Sequence, residues 1–113
     1  MKEIYLDHRV GQAWGVDKKL LTDADNLLQT TIQIAKQLKL TIVNSYIHKF
    51  KPHGLSLVLI IAQSHLAVHT WPEFSYIHID VVSCSKQADL TQLQKILKLI
   101  LQPNKLKVSR IRY

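Results

Sequence analysis

The chain is poor in the residues that cross-link or punctuate a fold: one cysteine, one methionine, three glycines and three prolines in 113 residues. The lone cysteine, Cys84, excludes an internal disulfide and a zinc site built on paired cysteines. No linker, internal repeat or low-complexity tract divides the chain. Acidic residues are scarce too, 8 against 15 lysines and arginines, which leaves a formal net charge of +7. The lysines are scattered, with no dense basic run and no basic stretch interleaved with aromatics. Nucleic-acid binding therefore lacks its usual footprint, and a solvated lysine-rich surface is the simpler reading. Long apolar runs are also missing. The longest, Leu55 to Ala62, has the length of a buried strand and falls short of a membrane span. The opening MKEIYLDHRVGQAW carries no apolar segment of signal-peptide length. The expectation is a cytoplasmic protein with neither a membrane nor a nucleic acid as partner.

What remains is a globular composition, 47% hydrophobic and 20% charged, sized for one domain over residues 1–113. Ile4 to Val10 reads as a short strand and Gly11 to Asp17 as a loop. Thr22 is a candidate N-cap, and Leu27, Leu28, Ile32, Ala35 and Leu38 recur at helical spacing, predicting a helix over Leu20–Leu38. Thr41 to His48 is β-branched and aromatic, as strands are. Lys51-Pro52-His53-Gly54 is a turn. Leu55 to Ala62 is a covered strand, with Leu66 to Thr70 continuing extended until Pro72. Tyr76 to Val82 is another strand. Leu90, Leu93, Ile96, Leu97 and Ile100 give Ala88–Leu101 one apolar face, and Lys105–Ile111 closes the chain as a strand. The order β-α-β-β-β-α-β predicts an α+β fold: a two-layer sandwich, mainly antiparallel, with two helices on one face of the sheet.

Polar residues interrupt the apolar middle oddly: Ser64, His65 and His69 in one run, Asp80 and Cys84 at the end of the next. Residue by residue, three readings stand. His65 and His69 have helical metal-ligand spacing, but in an extended chain they lie roughly 13 Å apart and no third ligand is near, so no metal is expected. Cys84 with a histidine base is a legitimate nucleophile pair, and equally a small buried hydrophobe. Taken singly, each is more simply a satisfied polar group in the core of a binding module.

Taken together they form a pattern. Ser64-His65, then His69-Thr70-Trp71-Pro72-Glu73, then Asp80 and Cys84, preceded by Phe50, Pro52, Gly54 and Ser56, resembles the central signature of prokaryotic S-adenosylmethionine decarboxylase proenzymes. Many matched positions at fixed spacing make a specific signal, covering about a third of the chain. The resemblance implies a proenzyme that cuts itself between Gln63 and Ser64, giving fragments 1–63 and 64–113 and leaving a covalent pyruvoyl group derived from Ser64. That group would form a Schiff base with S-adenosylmethionine and take up the electrons of decarboxylation, yielding the aminopropyl donor for spermidine. It also implies roles: His69 for proton transfer during processing, Cys84 as proton donor to the product, Ser56 assisting, Phe50 stacking on the adenine, Glu73 accepting from the ribose hydroxyls. It assigns His65 no role.

Ser56 and Ser64 would lie roughly 26 Å apart on a straight strand, and Ser64 and His69 would face opposite ways. A bend near Ala62–Ser64, or a site shared across a homodimer, would resolve both, and the resemblance implies a homodimer. The match departs at three places: Gln63 stands where the family has Glu, Ser85 where it has Gly, and the opening segment matches poorly. These departures leave open a relative acting on arginine or ornithine, or an unprocessed, non-catalytic binding relative.

Overall fold

The structure, a computed structural model, describes residues 4–113. Six strands, β1 (Asp7–Trp14), β2 (Ile42–Lys49), β3 (Leu55–Ile61), β4 (Ser64–Trp71), β5 (Tyr76–Ser83) and β6 (Lys105–Ile111), form one antiparallel sheet in the order β2-β3-β4-β5-β1-β6. Three helices, α1 (Lys18–Thr22), α2 (Ala24–Gln37) and α3 (Leu93–Leu101), pack against it. The two-layer α+β class is as expected. The strand count is not: the apolar run read as one continuing strand is two, because the chain reverses at Ala62–Gln63 and pairs β3 with β4.

Strand alternation explains the layers. Leu55, Leu57, Leu59 and Ile61, then Leu66, Val68 and Thr70, then Ile77, Ile79 and Val81 point one way and are buried. Leu27, Ile34, Leu38, Leu93 and Leu97 cover them. Helix α3 comes so close to β1 that a Cβ on Gly11 would stand 2.7 Å from a Leu97 methyl. Here a strand continues where a loop was expected: β1 runs through Gly11 to Trp14 because β5 and β6 pair it on both sides. The helix expected over Leu20–Leu38 is broken at Asp23, whose carboxylate caps α2 by accepting from the Asn26 N–H at 3.1 Å. Thr22, the candidate cap, instead donates to the Lys18 carbonyl within α1.

Among the described residues, no helix covers the opposite face. Its side chains form rows across the strands, among them His48–Ser56–His69–His78–Gln12–Lys107 and Asn44–Ile60–His65–Val82–His8–Ile111. The accessible surface of 7142 Å² exceeds the roughly 6,300 Å² expected of a compact monomer of 13.0 kDa.

One buried hydroxyl ties the sheet to the helices beside the cleft described below. Thr70 Oγ1 accepts from the Leu55 N–H at 2.9 Å and donates to the Leu21 carbonyl at 2.8 Å. Thr70→Val keeps the shape and strands both backbone groups. It should lower stability by about 2–6 kcal/mol in chemical denaturation, since each of the two unpaired buried groups costs about 1–3 kcal/mol.

Candidate active site

The hairpin sorts the sequence-predicted residues into two groups. Its ladder puts Ser56 opposite His69 and Ile61 opposite Ser64, so the two ends lie five residues apart, about 16 Å along the sheet. The predicted bend at Ala62–Ser64 is therefore present, yet it joins Ser56 to His69 and leaves both far from Ser64.

At the turn end, Gln63 has φ +69°, a left-handed conformation that costs a residue with a Cβ about 1–2 kcal/mol. Its carbonyl accepts a hydrogen bond from the Cys84 N–H at 3.2 Å. Ser64 pairs with Ile61 and with Ser83 of β5, which brings Cys84 beside the turn. The Ser64 hydroxyl is buried and has no hydrogen-bond partner among the described residues. The Cys84 thiol is free and its residue exposed.

At the other end, a cleft of about 290 Å³ is lined by Phe50, Ser56, His69, Trp71 and Glu73, with His53 at its rim. The β2–β3 loop closes through the Phe50 N–H to the Gly54 carbonyl, 2.9 Å. Gly54 has φ +105°, and a Cβ there would sit 3.3 Å from the Thr70 carbonyl oxygen. Phe50 is half exposed, its ring edge-on to His48 at 4.6 Å. The Ser56 hydroxyl lies 2.7 Å from His69 Nδ1. Burial lowers the His69 pKa below its ordinary value, the His78 charge lowers it further, and Asp80 opposes both. His69 is thus a neutral imidazole at pH 7, able to take a proton. His53 Nε2 stands 3.2 Å from a Glu73 carboxylate oxygen. The Glu73 carboxyl is held below its ordinary pKa, chiefly by its own backbone N–H; desolvation opposes this, and His53 adds to the lowering through its hydrogen bond and charge.

Sequence reasoning missed His53, whose turn position gave no sign of its reach to Glu73, and His78, which only the β4–β5 register places beside His69. Trp71, read as part of a turn-shaping segment, also lines the cleft.

The sequence model of the family described as S-adenosylmethionine decarboxylase matches residues 7–112. This chain belongs to that family. Curated relatives named S-adenosylmethionine decarboxylase proenzyme include those of Pyrococcus abyssi, 42% identical over 82 residues, and Thermococcus kodakarensis, 38% identical over 104. The first match covers 73% of this chain and 59% of the relative, the second 92% and 71%. This chain thus spans well under two thirds of the Pyrococcus protein it matches. A crystal structure of the adenosylmethionine decarboxylase from Aquifex aeolicus superposes with a TM-score of 0.84 at 23% identity, covering 97% of this chain and 91% of that one. A Trypanosoma brucei AdoMetDC monomer gives 0.66 at 14% identity, over 90% of this chain and 44% of that one. Both share the S-adenosylmethionine decarboxylase fold with this chain.

Proposed function

We propose that this chain is a proenzyme that cuts itself between Gln63 and Ser64 and then decarboxylates S-adenosylmethionine. One arrangement carries the reading: a left-handed Gln63, its carbonyl held by a backbone N–H, next to a buried serine hydroxyl without a partner among the described residues. A strained peptide beside an unsatisfied nucleophile is poised to react.

The Ser64 hydroxyl attacks the Gln63 carbonyl carbon. The new C–O bond replaces the C–N bond, and the serine oxygen's proton passes to the serine nitrogen. The Cys84 N–H stays on the carbonyl oxygen as negative charge builds there, the role of an oxyanion donor. A base then removes the Ser64 α-proton, the Cβ–Oγ bond breaks, and Gln63 leaves as a carboxylate. Water replaces the remaining nitrogen, which departs as ammonia, and residue 64 becomes a pyruvoyl ketone. When present, that ketone supplies the electron sink that decarboxylation of an α-amino acid requires. The polar, electrophile-forming turn fits such a group, because the residue that becomes it is already there.

The other residues then have work at defined atoms. His69, neutral and fixed by Ser56, moves the processing proton. The Cys84 thiol returns a proton to the product. Phe50 offers a face to an adenine and to a sulfonium. The Glu73 carboxylate, once released by His53, accepts from ribose hydroxyls.

The 16 Å between the two ends argues for a homodimer. A second copy laid across the helix-free face brings the Ser64–Cys84 end of one chain to the Ser56–His69 cleft of the other, and covers Val10, Val58, Ala67 and Val82. Denaturing intact-mass spectrometry tests the core of the reading. The expected result is two pieces, 1–63 and 64–113, the second lighter by the mass of ammonia than one beginning with serine. A single uncut chain, matching a Ser64→Ala control, would leave a binding relative as the better reading.

A further inference from the structure

A second polar chain lies on the helix-free face, outside the cleft. His65 Nε2 is 3.3 Å from one Asp80 carboxylate oxygen, and His8 Nε2 is 2.6 Å from the other. His8 Nδ1 in turn meets the Tyr113 hydroxyl at 2.7 Å, with the two rings stacked. The chain links β4, β5, β1 and the segment after β6. The residues directly beside His65 and His8 in their row are apolar: Ile60, Val82 and Ile111. Four polar groups joined end to end among such neighbours need a reason beyond solubility.

Their position supplies one. His65 is the residue that follows the proposed pyruvoyl position. Before cutting, the start of β4 is held by the Ala62–Gln63 turn and by its ladder to β3 and β5. Cutting severs the turn. Conversion of Ser64 also removes its nitrogen, and with it a backbone donor. A new chain end frays unless something ties it down. The side chain nearest the break that is tied to another strand is His65.

We propose that Asp80, braced by His8 and Tyr113, tethers His65 and so fixes the new end of β4 after self-cutting, which makes Asp80 and His65 positioning residues for the group formed at position 64. This rests on the cutting proposed above. The tether matters only once the turn is gone, which separates it from ordinary sheet stabilisation.

Asp80→Asn and His65→Ala are compared with wild type, each in a self-cutting chain and in an uncut Ser64→Ala background, by hydrogen exchange of the intact assemblies. Both variants should cut within about twofold of the wild-type rate. In the cut chains, amides at 65–68 should exchange about tenfold faster than wild type, with β2 unchanged. In the uncut background the same amides should change less than about twofold, because the turn still holds them. The cut variants should lose about tenfold in kcat, with KM little changed, since position and not affinity is disturbed. Equal loosening in both backgrounds would make the cluster a plain sheet contact and overturn the tether. So would no loosening in either, or loss of cutting in both variants. A wild-type chain that stays uncut removes the proposed function and the tether with it. A cut wild type with indifferent variants removes the tether alone.

Discussion

Produced together in one cell, the Ser64→Ala and His69→Ala chains should recover about a quarter of wild-type decarboxylation, although Ser64→Ala alone has none and His69→Ala alone, cutting so slowly, has very little. The figure follows from symmetry: random pairing makes half the dimers mixed, and each mixed dimer has two sites. One site then combines both lesions. The other combines Ser64 of the His69→Ala chain with His69 of the Ser64→Ala chain and is whole. Mass spectrometry adds a sharper reading, because only the His69→Ala chain retains a serine to cut. Its downstream fragment, 64–113, should appear at the mass that includes the His69→Ala substitution. Within one chain the hairpin ladder puts Ser64 opposite Ile61 and His69 opposite Ser56, on opposite faces of β4. A site built inside one protomer would therefore need β4 to give up its extended run between Ser64 and His69, which would pull Leu66 and Val68 out of the core. No cut product in the mixed sample would sink the shared site and leave that costly rearrangement as the alternative.

Much of this was readable in the sequence, and the limits have physical causes. Helix α3 was legible because Leu93, Ile96, Leu97 and Ile100 repeat at helical spacing; the first three are buried and Ile100 packs partly buried against them. The reversal between β3 and β4 was not. Ala62–Gln63 contains neither glycine nor proline, and an apolar run leads straight into it. A left-handed Gln63 is a conformation that residue type does not announce. The break at Asp23 was hidden because apolar spacing continues from Leu20 and Leu21 to Leu27. The signature block marked Ser64, His69, Glu73 and Cys84 by resemblance, but spacing alone could not say which of them meet. The Asp80 cluster was out of reach, since His8 and Tyr113 lie at the two ends of the chain and only the β1–β5 and β1–β6 pairings bring them to Asp80.

Self-cutting should depend on His69 in both rate and pH. His69→Ala should slow it by about 10²–10⁴-fold, the range that a positioned proton-transfer group contributes, with partial recovery in added imidazole. The working form is the neutral ring. Burial first, then the His78 charge, lowers the pKa of that ring below 6.5, with Asp80 offsetting part of the effect. A lowered pKa means that the neutral form persists as the pH falls. Cutting should therefore hold its rate to lower pH than an ordinary histidine would allow, with its acid midpoint below about 6.5. His78→Ala supplies the directional check. Removing that charge leaves burial and Asp80 to compete, so the His69 pKa rises and the acid limb moves to higher pH. The Ser56 contact should keep the ring in place, so the maximal rate should change much less than the midpoint. A wild-type midpoint above the ordinary histidine value of about 6.5, or a midpoint indifferent to His78→Ala, would take proton transfer away from His69 and require another base at the turn.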